Sequence, residues 1–318
     1  MKKVLFLVNA VSGRPSGKTI QERIVSELHG MRVRDHCDTV FTDVTIAEQV
    51  KNLSACYETV VVAGGDGTIH QAVQGIVGLE NKPKLGIIPT GTGNDLARSL
   101  GIFSFFKSHG LRALLQLILE GKTTTIDVVG LGERHLFINY FGMGNDARIS
   151  NRFNRIRFRP YFPNGTPILF HKALYGLLGL TKGFYRIPFD VELTYRDGPS
   201  ATNTLALSGG VCEIVMTNVK TYAGGDLLSS RCRMDDGKFE VTVVSNIRQW
   251  LMLHATRLFK KPLDGFCSRL IQFQTDELEI AFKGDTFYQI DGETLDGLPA
   301  GKKHWMVRVE SRIDMIVP

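Results

Sequence analysis

Three short stretches of this 318-residue chain carry the residue types of phosphate chemistry. In VVVAGGDGTIHQAV, Val60 to Val73, the residues Gly64, Gly65, Asp66, Gly67 and Thr68 stand between an apolar run and a helix-like segment. Glycines lack Cβ atoms, which permits positive φ and lets backbone N–H groups approach an anion. A helix that begins there adds its positive end, and Thr68 offers a hydroxyl to a phosphate or as a cap. Asp66 would repel phosphate unless a cation intervened, so it argues for magnesium and phosphoryl transfer. The plainer alternative is an Asp-Gly turn that caps a helix. Two further loops follow apolar runs, NAVSG (Asn9 to Gly13) and PTGTGNDLAR (Pro89 to Arg98), each with small residues, backbone donors and hydroxyls. None has the GxxxxGK spacing of a P-loop, and no GxGxxG follows a strand.

The elements that must position these loops are legible in the periodicity. From residue 1 to about 126, short β-rich runs (KVLFLVN, CDTVFTD, ETVVVAGG, KLGIIPTGTGND) alternate with helical stretches such as TIQERIVSELHG and FFKSHGLRALLQLILEG. That alternation predicts an α/β layer with a mostly parallel sheet, whose ligands bind beyond the carboxyl ends of the strands. From about 127 to 318 the texture becomes period-two: RHLFINYFGMG, FDVELTYRDG, GVCEIVMTN, KFEVTVVS, ELEIAFKG and HWMVRVES. These runs predict a second, antiparallel β domain, interrupted by helix-like LFHKALYGLLGLTKG and NIRQWLMLHATRLFKK. The fold class expected is therefore α/β plus all-β, two domains packed with a cleft between them; whether the last residues return to the first domain is left open by the sequence.

Five cysteines, odd in number and without a CxxC pair, give neither a disulfide framework nor a zinc site and fit a reducing cytosol. The apolar run after the basic start is too short for a signal-peptide core, and no stretch reaches the roughly 20 apolar residues of a spanning helix. The net charge is +6, with no acidic residue between Asp146 and Asp190. In that interval Arg148, Arg152, Arg155, Arg157, Arg159, Lys172, Lys182 and Arg186 interleave with Phe153, Phe158, Tyr161, Phe162 and Phe170. The combination suits a peripheral contact with an anionic membrane surface; the plainer reading is a solvated basic face. No nucleic-acid motif accompanies it, and oligomeric state has no sequence signal.

Asn9-x-x-Ser12-Gly13, Gly64-Gly65-Asp66-Gly67-Thr68 and Pro89-x-Gly91-Thr92-x-Asn94-Asp95-x-Ala97-Arg98, in that order, resemble the diacylglycerol kinase catalytic domain of bacterial soluble lipid kinases, relatives of sphingosine kinases. FGMGNDA, NVKTYAGGD, DDGKFEVTVV and Asp291-Gly292-Glu293 continue the resemblance, which covers nearly the whole chain. It implies an N-terminal α/β nucleotide-binding domain, a C-terminal β-sandwich, and phosphorylation of a lipid hydroxyl with ATP and Mg2+ as cofactors. Carried over residue by residue, it assigns ATP contacts to Asn9, Ala10, Val11, Ser12, Gly13, Thr42, Gly65, Asp66, Gly67, Thr68, Ile69, His70, Gln71 and Thr92. Glu293 matches the proton acceptor, facing the nucleotide across the cleft. A structural magnesium site matches the carbonyls of Arg233 and Lys238 and the side chain of Asp236. His70 and Gln71 replace the family's usual Asn-Glu, and Ser230 and Cys232 replace its Pro and Ala before Asp-Asp-Gly. The other function classes weighed are an NAD kinase, which shares GGDGT, and a nucleotide-binding regulator without turnover.

Overall fold

The computed structural model describes residues 3–10, 17–43, 45–53, 56–91, 93–157, 184–198, 201–223, 225–267, 269–295 and 302–318. The chain divides into two compact units, Met1–Ile126 with Ser311–Pro318, and Asp127–Glu310.

In the first unit, strands and helices alternate as β1 (Val4–Val8), α1 (Gly17–Gly30), β2 (Cys37–Phe41), α2 (Ile46–Leu53), β3 (Thr59–Gly64), α3 (Asp66–Val77), β4 (Lys84–Pro89), α4 (Asp95–Ser99) and α5 (Ile102–Glu120). β5 (Thr123–Leu131) leads on into the second unit. The sheet order is β2-β1-β3-β4, all parallel, with the end of the C-terminal strand Lys302–Ile316 added in parallel at Met315 beside Leu85 of β4. Every residue of β1 and β3 is buried, the mark of a parallel sheet covered on both faces. Ile20, Ile24 and Leu28 of α1 recur at helical spacing and are the face that it buries. α2 and α3 approach closely at Gly75, where a Cβ would stand 2.4 Å from the carbonyl oxygen of Ala47. One expected helix is interrupted: Gly110 inside α5 has φ +79° and ψ −175°, outside the helical region.

Among the described residues, the second unit contains two larger antiparallel sheets and a two-stranded one, Thr221–Tyr222 with Asp226–Leu227. Its elements are β6 (His135–Phe137), β7 (Tyr140–Gly144), α6 (Asn145–Arg157), β8 (Val191–Asp197), β9 (Ala201–Leu207), β10 (Glu213–Thr217), β11 (Thr221–Tyr222), β12 (Asp226–Leu227), β13 (Phe239–Val244), α7 (Ile247–Phe259), β14 (Ile271–Thr275), β15 (Glu277–Lys283), β16 (Tyr288–Ile290), β17 (Glu293–Thr294) and β18 (Lys302–Ile316). One sheet runs β14-β13-β10-β7-β16-β17, and the other includes β18-β15-β8-β9. Phe141, Met143, Ile214, Met216, Phe239, Val241 and Val243 of the first sheet share a core with Val191, Leu193, Leu278, Ile280 and Val307 of the second, which makes the unit a sandwich.

The period-two reading of β10 and β13 implies one solvated face, and the structure differs. Glu213 and Thr217 of β10 and Glu240 and Thr242 of β13 are all buried. The second face of this sheet carries its own core, Tyr140, Val215, Tyr222, Val244, Trp250 and Leu253, part of it supplied by α7. Polar residues at alternate positions therefore face a covered surface, and several are hydrogen-bonded there. Tyr222 donates its hydroxyl to Glu213 at 2.6 Å, and Gln289 Nε2 donates to the Tyr222 hydroxyl oxygen at 3.2 Å. Trp250 Nε1 donates to Asp146 at 2.8 Å, His254 Nδ1 to Asp226 at 2.7 Å, and an Arg257 Nη atom lies 3.0 Å from Asp226. Burial, and then the nearby Asp146 charge, raise the Glu213 carboxyl well above its usual range. Burial by itself would lower the pKa of His254, but the charges and hydrogen bonds of Asp146 and Asp226 outweigh it and push it up to about 10. Asp146 is held down by His254 against its own burial.

The helix-like sequence 169–183 lies outside the described residues, as do Phe158, Arg159, Tyr161, Phe162, Phe170, Lys172 and Lys182 of the basic-aromatic stretch. Among its described members, Arg148 stacks over the Tyr185 ring at 5.4 Å and Arg155 is exposed. No helix among the described residues is long and apolar enough to cross a membrane.

Between the ordinary His value of 6.5 and about 10, the folded state holds a proton on His254 that the unfolded chain releases. Its contribution to stability is therefore complete below pH 6.5 and lost as pH rises through about 10. His254→Gln is expected to cost on the order of 2–4 kcal/mol at pH 7, because it removes the cation beside the buried Asp146 carboxylate. Denaturant unfolding of both proteins from pH 6 to 10 checks this: the gap between them must narrow as pH rises.

Candidate active site

Parallel strands end at one edge of a sheet, so the loops after β1, β3 and β4 meet there. Asn9, directly after β1, donates its side-chain amide to the Thr68 hydroxyl at 2.7 Å, joining the first loop to the first turn of α3. Thr68 is 7 % exposed and Asn9 half-buried. Thr42 follows β2, and its N–H donates to the carbonyl of Val8 at 3.0 Å, so it stands beside the end of β1. Ala10 is exposed; Val11, Ser12, Gly13 and Thr92 lie outside the described residues.

The positive φ that glycine permits is not used at Gly64 or Gly65. Gly65 has φ −100°, and Gly64 is likewise outside the left-handed region. What they permit is close approach within the protein. A Cβ on Gly64 would meet the Thr68 side chain at 2.7 Å, and one on Gly91 would meet the Gly65 Cα at 2.4 Å. The β3 and β4 loops thus touch backbone to backbone. A Cβ on Gly93 would stand 2.8 Å from Asp66 Oδ2, which puts the carboxylate against the same loop.

Asn94 fixes the β4 loop. It is the residue in the left-handed conformation, with φ +56°, and is buried. Its side-chain oxygen accepts from Gly91 N at 3.1 Å and its amide donates to the Gly91 carbonyl at 2.6 Å. Arg98 Nε donates to the Gly93 carbonyl at 2.9 Å and its guanidinium lies over the Phe103 ring. In α3 the first helical bond is Ile69 N to the Gly65 carbonyl, which leaves the N–H groups of Asp66, Gly67 and Thr68 outside the helix's own ladder. The cradle fits an anion, with one carboxylate, Asp66, placed to hold a cation. Ile69 is a core residue, whereas His70 and Gln71 are half-buried and His70 pairs with Gln74 at 3.0 Å.

In the second unit, Glu293 begins β17 directly after a two-residue hairpin, since Ile290 pairs with Glu293. Asp291 (φ +49°) and Gly292 (φ +85°) both take positive φ, as the primed hairpin turns require. Asp291 is 5 % exposed, and its carboxylate accepts backbone N–H bonds from Ile138 (3.2 Å), Asn139 (2.8 Å) and Tyr140 (2.9 Å). The Gly292 carbonyl accepts from Ser150 Oγ at 3.0 Å and Asn154 Nδ2 at 3.3 Å, both on α6. The turn is clamped on two sides while the Glu293 side chain is exposed. Ser150 and Asn154 carry no local signal in the sequence; Asn94 stands in the PTGTGNDLAR motif, and its left-handed backbone is one that Asn tolerates.

Arg233, Asp236 and Lys238 lie in the loop before β13. Asp236 accepts from Lys238 N at 3.1 Å, and burial is the main reason its carboxyl sits above the usual range. Gly237 N donates to the buried Asp127 at 2.6 Å, and Asp127 N returns a bond to the Met234 carbonyl at 2.6 Å. Asp127, a residue not expected there, thus ties the loop to β5. The described residues include no group of three or more His, Cys, Asp or Glu able to hold a metal; the expected donor set has one carboxylate and two carbonyls.

Asp291→Ala leaves three buried backbone N–H groups without their acceptor and is expected to cost about 2–4 kcal/mol. Urea unfolding checks it, and a loss no larger than that of an exposed-site control such as Glu133→Ala would contradict the clamp.

The diacylglycerol kinase catalytic domain matches residues 3–131 and the diacylglycerol kinase accessory domain residues 136–294. Proteins named diacylglycerol kinase from Staphylococcus epidermidis (strain RP62A) and Staphylococcus aureus (strain bovine RF122 / ET3-1) are each 25 % identical over 323 residues, covering 100 % of this chain and 92 % and 93 % of theirs. A crystal structure of a diacylglycerol kinase from Bacillus anthracis str. Sterne superposes with a TM-score of 0.69 at 19 % identity, over 100 % of this chain and 97 % of that one. A parallel α/β unit followed by an antiparallel β unit thus matches both domains over nearly its whole length, and the chain belongs to the diacylglycerol kinase family of lipid kinases.

Proposed function

We propose that this kinase transfers the γ-phosphoryl group of ATP, with magnesium, to the hydroxyl of diacylglycerol or a closely related lipid. The observation that carries the proposal is the contact of Gly65 with Gly91, which closes two strand-end loops into a cradle at the start of α3. Asn9 and Thr42 follow the neighbouring strands β1 and β2, Asn9 is bonded to Thr68, and the N–H groups of Asp66, Gly67 and Thr68 suit a phosphate tail. Bound magnesium would neutralise phosphate charge, and Asp66 is the residue that would hold it. Glu293 takes the proton of the lipid hydroxyl as it becomes acidic in the transition state. Its role needs a fixed backbone and a reachable carboxylate, and the clamped hairpin supplies both. Arg233, Asp236 and Lys238 are proposed to hold a second, structural magnesium through two carbonyls and one carboxylate.

Incubation with labelled ATP, magnesium and separate panels of diacylglycerol, phosphatidylglycerol and sphingoid bases tests the reading. Transfer to diacylglycerol is expected, and transfer to none of them would end it. Glu293→Gln should lower kcat by about 10²–10⁴ with the KM for ATP little changed; a variant that kept its kcat would remove Glu293 from the base role. Gly91→Ala forces the two loops apart and is expected to raise the ATP dissociation constant at least about tenfold, read by titration of bound nucleotide, with the circular dichroism spectrum unchanged.

A further inference from the structure

Six large apolar side chains are exposed among the described residues, and four of them lie at α7: Ile247 (46 %), Leu251 (51 %), Leu258 (80 %) and Phe259 (66 %). At about 100° per residue, Ile247, Leu251 and Leu258 fall within roughly 40° of arc. They form a crest on the side opposite Leu253 and Thr256, which are buried. The helix is not loosely held. Trp250, His254 and Arg257 bind buried Asp146 and Asp226, and Thr256 accepts from Leu227 N at 2.9 Å. A fixed helix that shows its aliphatic residues to water calls for a partner.

The charges around the crest define that partner. Arg248, Lys260, Lys261 and Arg269 are all exposed. Phe259 packs on Phe266 at 5.6 Å, and Lys261 lies over the Phe266 ring at 5.3 Å, which joins the basic rim to an aromatic one. Between Asn246 and Gln274 the sequence has one acidic residue, Asp264, which is partly buried and accepts from both the N and Oγ of Ser230. A second copy of the chain is a poor occupant, because a two-fold interface would set Arg248, Lys260 and Lys261 against themselves. Nucleic acid would use the cations and leave the crest in water. An apolar crest ringed by Lys, Arg and Phe matches a bilayer interface with anionic headgroups.

We infer that α7 is the surface by which this kinase docks on anionic membranes, its crest entering the acyl boundary and its rim meeting the headgroups. The inference extends the lipid-kinase reading and names a face of the molecule remote in sequence from the basic-aromatic stretch after Asp146. Sedimentation of the full chain with phosphatidylcholine vesicles, alone or mixed with phosphatidylglycerol, tests it without ATP or an acceptor. The wild type should bind the mixed vesicles at least about tenfold more tightly than phosphatidylcholine alone, and less tightly at high salt. Lys260→Gln with Lys261→Gln should lose about 25-fold, at roughly fivefold per cation. Leu251→Gln with Leu258→Gln should lose at least about tenfold. All four positions are exposed, so unchanged thermal melts confirm that the variants fold. Phosphorylation of a short-chain, water-dispersed diacylglycerol should be the same in all three proteins, whereas that of vesicle-embedded lipid falls in the variants. If the wild type phosphorylates no diacylglycerol, the proposed substrate fails while vesicle binding still judges the docking face. Wild-type protein that ignores anionic vesicles, variants that bind as the wild type does, or a change of oligomeric state without a change in vesicle binding would each overturn it.

Discussion

Two backbones in contact, with no side chain between them, set the geometry of the candidate site. Gly65 and Gly91 come from loops after neighbouring parallel strands, and a single Cβ on Gly91 would drive into the Cα of Gly65. Everything else at that edge depends on the closure. It brings Asp66 against Gly93, and it lets the start of α3 face the same volume as Asn9. Asn94 holds the closed form with two bonds to Gly91, at the local cost of a left-handed backbone. A parallel sheet makes such an arrangement possible because every strand delivers its carboxyl end to one edge.

The antiparallel unit fixes the backbone from which the exposed Glu293 side chain projects. Glu293 follows a turn whose first residue spends its carboxylate on three backbone N–H groups and whose second is bonded by α6. The sheet that carries this turn is buried on both faces. Its second face is held by a polar network that runs from Glu213 through Tyr222 to Gln289, two residues before Asp291. Buried networks of this kind favour a unique packing when their members are satisfied. The same face seats α7, so the order of that helix rests on the buried carboxylates of Asp146 and Asp226.

The sequence by itself determined the division into an alternating and a period-two half, because helix and strand periodicities are local properties of the chain. It also marked the glycine loops, whose small residues and hydroxyls are recognisable wherever they occur. Tertiary structure alone decided what the glycines are for. Positive φ is a property of single residues that glycine permits, yet the constraint at Gly64 and Gly65 is approach to the Thr68 side chain and the Gly91 backbone. Tertiary structure likewise decided that Glu213 and Glu240 are buried, since alternation shows that a strand has two faces without showing what covers the second. The hairpin Asp291-Gly292 was a local signal, but its clamp depends on the N–H groups of Ile138 to Tyr140, about 150 residues earlier in the chain, which only folding brings within a hydrogen bond.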